Sequence, residues 1–357
     1  MSTLYITSTD VFSGKTALCV GLGEKFLRSG YAIGYMKPVS AVAGAICERA
    51  IDEDVEFIKE IFRLSEAKAP VILTPKLVDS LLRGEEEADF RALLKEAYAQ
   101  VAQDKDVIIL EGGGRLEEGS IVGLAAPYIS ELLGAKDLVV IKYANDLQAV
   151  DDALRAKEAF GDSLLGIVFN VVPRQRMEFL EEVVKPYLEE RGIKVLAVLP
   201  QERFLLSISV GQLTECLDGE VLCCPEARDE LVEHLMVGAM TVDAALSYFR
   251  RKPNKAVITG GDRPDIQLAA LETSTKCLIL TGNLRPSPIV LGRAEEVGVP
   301  VILVKPDTLT TVEIIEQFFG KTRFHQEEKI HCFEKLLEER FNFEALYEGL
   351  GLRPASD

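Results

Sequence analysis

The sequence predicts an α/β fold, in which a parallel sheet flanked by helices is followed by a second, smaller α/β unit. Apolar runs of strand length alternate with helical patterns through residues 1–222, which is typical of a parallel sheet covered on both faces. The alternation lapses and starts again near residue 254. At 357 residues the chain is also long for a single core, since domains of about 150 residues are common.

Composition and charge exclude several functional classes. The formal net charge is −17, with no basic stripe beyond Arg250-Arg251-Lys252, so we expect no nucleic-acid partner. No apolar stretch approaches the roughly 20 residues of a membrane span, and the first strand begins too early for a signal peptide. Seven cysteines at irregular spacing are typical of reduced thiols. We therefore expect a cytoplasmic protein without a membrane partner.

The most informative stretch stands near the N-terminus. An apolar run, Leu4–Ser8, stops at a small polar loop, and Gly14-Lys15-Thr16 leads into a helical pattern. The amides of such a loop and the positive end of the helix favour a polyphosphate, with Lys15 on the outer phosphates and Thr16 on Mg²⁺. The glycine that usually opens such a loop is absent. A plain helix N-terminus capped by Ser13 therefore stays open as the alternative.

The next two elements add charged groups. Residues Tyr31–Met36 are predicted as a strand that ends at Lys37, and ligands of parallel sheets gather beyond the carboxyl ends of the strands. Lys37 is therefore expected near Lys15, with a solvated loop lysine as the alternative. A helical pattern follows over residues 52–62. Its Asp54 is a candidate ligand for a hard cation, or an acid that simply suits the first turn of a helix.

A further buried strand ends in an acid and glycines. Val107–Leu110 are four consecutive apolar residues, which is typical of a strand buried on both faces, and Glu111 follows. An acid at the end of a neighbouring strand is the usual companion of a phosphate loop, because it can hold Mg²⁺. Gly112 and Gly113 would let a ligand approach the backbone closely.

More strands and helices complete the first pattern. Asn170 ends one of these strands on the ligand side, where its amide could contact a purine edge or tie down the following loop. The predicted strands are Leu138–Ile141, Leu165–Val171 and Val195–Leu199, and the predicted helices are Asp146–Phe160 and Met177–Glu190. Residues 230–249 are predicted to form two helical stretches.

A second parallel α/β unit starts after Lys252-Pro253-Asn254. Its first strand leads into Gly260-Gly261-Asp262-Arg263-Pro264, where a tight turn is followed by a capping acid and by a proline in the first helical turn. Four of these residues form a possible ligand loop, with plain turn chemistry as the alternative. They are Gly260, Gly261, Asp262 and Arg263.

These motifs resemble two known families. The loop Ser8–Thr16, the stretch Lys37-Pro38-Val39, the strand end Glu111–Gly114 and the strand ending at Asn170 are similar to those of dethiobiotin synthetase. Residues 225–345 resemble the DRTGG domain. The two in this order resemble the N-terminal regulatory half of large phosphotransacetylases, which is also found as a stand-alone protein. The expected segments are a nucleotide-binding domain over 1–222, a helical linker over 223–253, a DRTGG domain over 254–345 and a C-terminal tail over 346–357.

The resemblance implies ATP and Mg²⁺ as cofactors, and it implies a role for each matching residue. The residues implied to bind nucleotide are Thr9, Asp10, Ser13, Gly14, Lys15, Thr16, Gly112, Gly113 and Asn170. Lys15 and Lys37 are implied as the catalytic lysines. The implied metal ligands are Thr16, Asp54 and Glu111. The resemblance also implies a homodimer or higher homo-oligomer, and a small-molecule ligand or metabolite as partner.

Three functions are compatible with these expectations. The first is an ATP-binding sensor or regulator with weak or conditional ATPase activity, because phosphoryl transfer needs mainly positioning and charge neutralisation. The second is an ATP-dependent ligase of the dethiobiotin synthetase type, acting on a small carboxylate. The third is a binding module whose phosphate loop has lost catalysis. No acetyltransferase segment is recognised, so we do not expect phosphoacetyl transfer.

Overall fold

A computed structural model describes residues 1–41, 52–318, 324 and 326–353. The chain forms two compact units, one of Met1–Gln201 with Phe324–Asp357 and one of Glu202–Arg323. Both units are α/β, which confirms the predicted fold class. None of the described helices is long and apolar enough to cross a bilayer. Cys47, one of the predicted reduced thiols, lies outside the described residues.

Strands and helices alternate through most of the described chain. The strands are β1 (Ser2–Ser8), β2 (Ile33–Met36), β3 (Val39–Ala41), β4 (Val71–Leu73), β5 (Val107–Glu111), β6 (Lys136–Lys142), β7 (Leu164–Val172), β8 (Val195–Pro200), β9 (Ile208–Ser209), β10 (Glu220–Cys223), β11 (Leu231–Val232), β12 (His234–Val237), β13 (Lys255–Gly260), β14 (Thr275–Thr281) and β15 (Val301–Leu303). The α-helices are α1 (Lys15–Arg28), α2 (Glu53–Phe62), α3 (Pro75–Arg83), α4 (Phe90–Val101), α5 (Ala126–Leu133), α6 (Asp146–Phe160), α7 (Arg174–Phe179), α8 (Lys185–Glu189), α9 (Val210–Cys216), α10 (Val242–Phe249), α11 (Pro264–Leu271), α12 (Pro288–Val297), α13 (Thr308–Phe318), α14 (Glu327–Arg340) and α15 (Phe343–Leu350).

A wholly parallel six-stranded sheet forms the centre of the first unit. Its strand order is β2-β5-β1-β6-β7-β8. The chain moves to one side of β1 for β2 and β5 and to the other side for β6, β7 and β8, so the strand order reverses beside β1. Ligands of open α/β sheets bind in the crevice outside the carboxyl ends of the strands at such a reversal.

The register of the sheet brings the polar residues at the ends of the strands close to the point where the strand order reverses. Ile6 of β1 lies opposite Glu111 of β5, and Ser8 lies opposite Val140 of β6. All five residues of β5 are buried, as expected for an inner strand of a parallel sheet with helices on both faces. The loops that follow β1, β2 and β5 therefore open at the same edge of the sheet.

The C-terminal helices α14 and α15 belong to the first unit. Gly21 of α1 lies so close to α14 that a Cβ on this glycine would come within 2.4 Å of Leu337 Cδ1. Helix α15 buries Leu346 and Tyr347, and the Ser2 hydroxyl donates to the Leu350 carbonyl over 2.7 Å. The predicted tail over 346–357 is therefore wrong for residues 346–350, whose apolar side chains pack in the first unit.

The second unit contains a five-stranded sheet in the order β10-β15-β14-β13-β12. Strand β10 is antiparallel to β15, and the remaining pairs are parallel. The two-stranded pair β9–β11 lies in the same unit. Alternation of β13, α11, β14, α12 and β15 confirms the predicted second α/β pattern.

The structure differs from the predicted boundaries of the segments. The second unit begins at Glu202 and ends at Arg323. Residues 202–222, predicted in the first domain, therefore belong to the second unit, and residues 324–345, predicted in the second domain, belong to the first. The predicted helical linker over 223–253 contains β11 and β12 as well as α10. Strand β12 replaces a predicted helix because His234–Val237 pairs in parallel with β13, and a short apolar run has no clear period of its own.

Candidate functional site

The loop between β1 and α1 leaves the start of the helix open. Gly14 is the residue that caps α1, in the left-handed conformation with φ of 93°, and no side chain accepts a hydrogen bond from the first helical amides. Ser13 Oγ is buried and has no hydrogen-bond partner among the described residues. The alternative of a helix capped by Ser13 is therefore wrong. Uncapped amides and the helix dipole together favour an anion at this position.

The side chain of Asn170 lies so close to Gly14 that it explains why residue 14 is a glycine. Asn170 Nδ2 donates to the Ser13 carbonyl over 2.8 Å, and the Asn170 side-chain oxygen accepts from the Val171 amide over 2.9 Å. A Cβ on Gly14 would come within 2.4 Å of Asn170 Nδ2. Asn170 thus holds the backbone of the phosphate loop, rather than only the loop that follows its own strand.

Lys15 is buried beside the loop, with 8% of its surface exposed. Its ammonium donates to Ser8 Oγ over 2.8 Å, and Ser8 in turn donates to the Asp10 carbonyl over 2.7 Å. Burial lowers the pKa of Lys15, the charge of Lys37 lowers it further, and Glu111 opposes both effects. A buried ammonium whose pKa is lowered by burial would gain from an anionic ligand.

Glu111 lies in the centre of the site and is 2% exposed. Its Oε1 accepts from the Thr16 hydroxyl over 2.7 Å, and its Oε2 accepts from the Tyr35 hydroxyl over 2.7 Å. Burial raises the pKa of Glu111 and Asp54 raises it further, whereas Lys37 and the two hydroxyl groups lower it. The first residues of α1 and the end of β5 are therefore joined by a hydrogen bond at the reversal of strand order.

Lys37 lies between two carboxylates. Its ammonium is 2.7 Å from Asp54 Oδ2 and 2.9 Å from Asp52 Oδ2. Burial alone would lower the pKa of Lys37, but Glu111, Asp54 and Asp52 together raise it above the ordinary value. Asp52 also caps α2 through the Val55 amide over 3.0 Å. Lys37 is therefore not the solvated loop lysine of the alternative.

The remaining candidates in the first unit contact other parts of the protein. Thr9 donates to Asp152 Oδ2 over 3.1 Å, and Asp10 accepts from the Val11 amide over 2.8 Å. Gly112 and Gly113 are explained by packing, since a Cβ would come within 2.7 Å of Thr7 and 2.4 Å of Glu118 respectively. Thr9 and Asp10 lie within the loop Ser8–Thr16, and none of the contacts named here involves Lys15.

The oxygen atoms of the site suit a hard cation. Thr16 Oγ1 and Glu111 Oε1 lie 2.7 Å apart, and the Asp54 carboxylate is held nearby by Lys37. Among the described residues no group of three His, Cys, Asp or Glu side chains could hold a metal ion by itself. Mg²⁺ is commonly bound by one or two carboxylates together with phosphate oxygens, so this donor set fits Mg²⁺ accompanied by a polyphosphate.

The loop predicted as a ligand site in the second unit has a packing role. A Cβ on Gly261 would come within 1.7 Å of the Leu284 carbonyl oxygen, so only glycine fits. Arg263 is paired with Asp265 over 3.0 Å and donates to the Met240 carbonyl. The predicted capping acid is wrong, because Arg263 rather than Asp262 occupies the capping position of α11. The geometry favours plain turn chemistry for Gly260, Gly261, Asp262 and Arg263.

Sequence patterns missed three groups of the site. Tyr35, Asp52 and Ser8 bind Glu111, Lys37 and Lys15 respectively, and none was a candidate site residue, although Ser8 is the first residue of the loop Ser8–Thr16. One signal was available for Tyr35. Tyr35 lies two residues before Lys37. Side chains two residues apart in a strand point to the same face of the sheet, so Tyr35 and Lys37 would share a face if the strand continued to Lys37. The other two contacts depend on the folded path of the loops.

Comparisons with known proteins agree with this geometry. A sequence profile described as an AAA domain matches residues 2–207. The chain belongs to this AAA-domain family. A second profile, described as the DRTGG domain, matches residues 212–318. The predicted resemblance to a nucleotide-binding domain joined to a DRTGG domain is confirmed.

Known relatives match either one domain or both. A phosphate acetyltransferase of Synechocystis is 25% identical over 342 residues, covering 88% of this chain and 47% of that protein. The chain thus spans about half the length of that relative. An ATP-dependent dethiobiotin synthetase of Caldicellulosiruptor saccharolyticus is 26% identical over 210 residues, covering 55% of this chain and 84% of that protein. The solved structure of cobyrinic acid a,c-diamide synthase from Mycobacterium smegmatis with bound ADP and magnesium is 16% identical, covers 57% of this chain and 88% of that chain, and has a TM-score of 0.36.

Proposed function

We propose that the first unit binds ATP with Mg²⁺ and hydrolyses it slowly, and that the protein acts as a metabolic sensor or regulator. One observation carries the proposal: Thr16 and Glu111 meet at 2.7 Å at the uncapped start of α1, where Lys15 is buried. The match to the AAA-domain family and to an enzyme named as an ATP-dependent synthetase supports ATP as the nucleotide. The match to the first half of phosphate acetyltransferases supports a regulatory role.

Each group of the site has a part in this proposal. The amides at Ser13 to Thr16 hold the phosphates, and Lys15 exchanges its contact with Ser8 for a phosphate oxygen. Thr16 and Glu111 would hold Mg²⁺, with Asp54 as a further candidate ligand, and the cation would neutralise phosphate charge. Positioning and charge neutralisation of this kind are sufficient for slow phosphoryl transfer to water.

A ligase that activates a small carboxylate is the second candidate. The observation that favours it is Lys37, a second and mostly buried cation held by Asp52 and Asp54 on the same edge of the sheet as Lys15. Once released from Asp54, Lys37 would stabilise an acidic second substrate or the transferred phosphoryl group. A panel of small carboxylates that accelerates ADP release would favour this candidate over a sensor. ATP binding without turnover would favour the non-catalytic module.

Calorimetric titration with ATP and Mg²⁺ tests the proposal. We expect saturable binding by the wild type and at least a hundredfold weaker binding by Lys15→Ala, because a buried charge contact to phosphate is worth about 3 kcal/mol or more. Lys59→Ala is the matched control, since Lys59 is a lysine of the neighbouring α2 that is paired with Glu56 at the surface. Its affinity should match that of the wild type. A wild type that releases no heat overturns the proposal.

Location and assembly complete the proposal. We propose a cytoplasmic homodimer or higher homo-oligomer. None of the described cysteines is in a disulfide bond, which is typical of a reducing compartment. Light scattering on the purified chain measures the mass of the assembly.

A further inference from the structure

The second unit contains a cavity of about 250 Å³ that the proposed nucleotide site does not involve. It lies between α9, the residues after β10 and the segment before β15. Most of its wall is apolar, and the apolar wall consists of Val210, Val221, Cys224, Pro225 and Pro300. Binding sites for small molecules are concave and mostly apolar, with a few polar groups that fix the orientation of the ligand.

Arg228 supplies such a polar group at the edge of the cavity. Its side chain lies against Gly211, where a Cβ would come within 2.6 Å of Arg228 Cγ and 2.8 Å of Arg228 Nε. Any larger residue at 211 would displace the arginine. Glycine at this position therefore allows the guanidinium to lie along the first turn of α9 and beside the cavity.

The guanidinium keeps capacity for a further partner. Among the described residues, Glu215 accepts a hydrogen bond from its Nη2. A guanidinium has five N–H donors in a planar fork that matches a carboxylate. The pair with Glu215 is largely exposed, so exchanging or sharing it costs little free energy.

Glu215 also lines the cavity, where it is paired with Arg228, and the remaining lining residues carry no charge. Thr214 donates its hydroxyl to the Val210 carbonyl over 2.8 Å, and the two prolines lack an N–H group. Burial raises the pKa of the Cys224 thiol, with smaller contributions from Glu226 and Glu295, so it is uncharged at neutral pH. A ligand is thus met by an apolar wall on one side and by Arg228 with its partner Glu215 on the other.

We propose that this cavity binds a small organic anion, namely a carboxylate with a short aliphatic chain. The chain occupies the apolar cavity and the carboxylate binds Arg228. A volume of about 250 Å³ holds roughly eight groups of water size, at about 30 Å³ each. Hexanoate, with six carbons and two oxygens, is therefore the probe of matching size.

Ligand-observed NMR titration of the full chain tests this site. We expect saturable binding of hexanoate, at least tenfold weaker binding of 1-hexanol, and no saturable binding of hexylamine. Arg228→Ala should weaken hexanoate binding at least tenfold. Gly211→Ala should also weaken it, because the added methyl group displaces Arg228 while the apolar wall stays in place.

Arg285→Ala is the matched control. Arg285 belongs to the same unit and pairs with Glu220, and the exposures of the two partners equal those of Arg228 and Glu215. Its affinity for hexanoate should stay within twofold of the wild type. The proposal is overturned if the folded wild type does not bind hexanoate, if 1-hexanol or hexylamine binds as tightly as hexanoate, or if Arg228→Ala binds like the wild type.

Discussion

Glu111 joins three separate segments of the first unit through a single carboxylate. Thr16 contacts one oxygen and Tyr35 the other, each over 2.7 Å, and the side chain is almost fully buried. Two hydroxyl donors and the nearby Lys37 offset the cost of burying this acid. The acid at the end of its strand was predictable, whereas its donor Tyr35 lies 76 residues away in sequence and has no motif.

Gly14→Ala tests the close approach behind the phosphate loop. The substitution forces an alanine into the left-handed conformation and moves Asn170, which is anchored to Ser13 and Val171. We expect the free energy of unfolding to fall by roughly 2–4 kcal/mol, and ATP binding to be lost. Chemical denaturation and calorimetry measure the two effects.

Gly134→Ala is the control for this experiment. Gly134 has φ of 60°, and nothing lies within 4 Å of its added Cβ. Only the backbone cost of about 1 kcal/mol then applies. If Gly14→Ala and Gly134→Ala lose equal free energy of unfolding, the proposed clash between residue 14 and Asn170 is contradicted.

Asp137 predicts a pH dependence of stability. It is fully buried, Ser130 donates to Oδ2, and burial raises its pKa from 3.8 to about 7. The folded state keeps this proton up to about pH 7 while the unfolded state loses it near pH 3.8, so the wild type loses stability as pH rises through this window. Asp137→Asn removes this loss.

Denaturant titrations of Asp137→Asn at pH 5.5 and pH 8 measure the effect. From pH 5.5 to pH 8, we expect the free energy of unfolding of the variant to rise by about 1–2 kcal/mol relative to that of the wild type. Asp229→Asn, at an exposed position, is the control and should show no such gain. A constant difference between Asp137→Asn and the wild type at both pH values would refute the burial effect.

At the scale of elements, strong patterns were predictable and weak ones were not. The apolar spacing of Asp146–Phe160 predicts the helix with the bounds that the structure shows. Strand β12 was predicted as helix, because Leu235, Met236 and Val237 form too short a run to show a period. Pairing with β13 decides its conformation, and pairing partners are distant in sequence.

Helix α15 is an element whose role follows only from packing. Its Leu346 is fully buried in the first unit, although residues 346–357 are predicted from the sequence as a C-terminal tail. Leu346→Ala should therefore lower the free energy of unfolding by about 2–4 kcal/mol, since it leaves a cavity. Denaturant titration measures the loss.

Leu82→Ala is the matched control for that variant, because Leu82 lies on a helix of the same unit and is 75% exposed. We expect a change of less than about 0.5 kcal/mol. If Leu346→Ala is equally mild, α15 does not stabilise the first unit.

At the scale of the whole molecule, the two units are not formed by two consecutive segments of the chain. The first unit takes its last helices from residues after the second unit. The composition of 324–345 gives no sign of this, because an amphipathic helix packs equally well on any sheet with an apolar face. The close fit of Leu337 against Gly21 is a tertiary contact that no local pattern contains.

The affinity for ATP, measured by calorimetry with Mg²⁺ and again with EDTA, tests the central claim most directly. The wild type should bind ATP at least tenfold more tightly with Mg²⁺, because the proposal assigns Thr16 and Glu111, which meet at 2.7 Å, as the residues that would hold the cation beside the phosphates. Glu111→Gln, of the same shape, should gain less than threefold from Mg²⁺ while staying folded. A wild type indifferent to Mg²⁺, or a Glu111→Gln variant with the full response, would contradict the account.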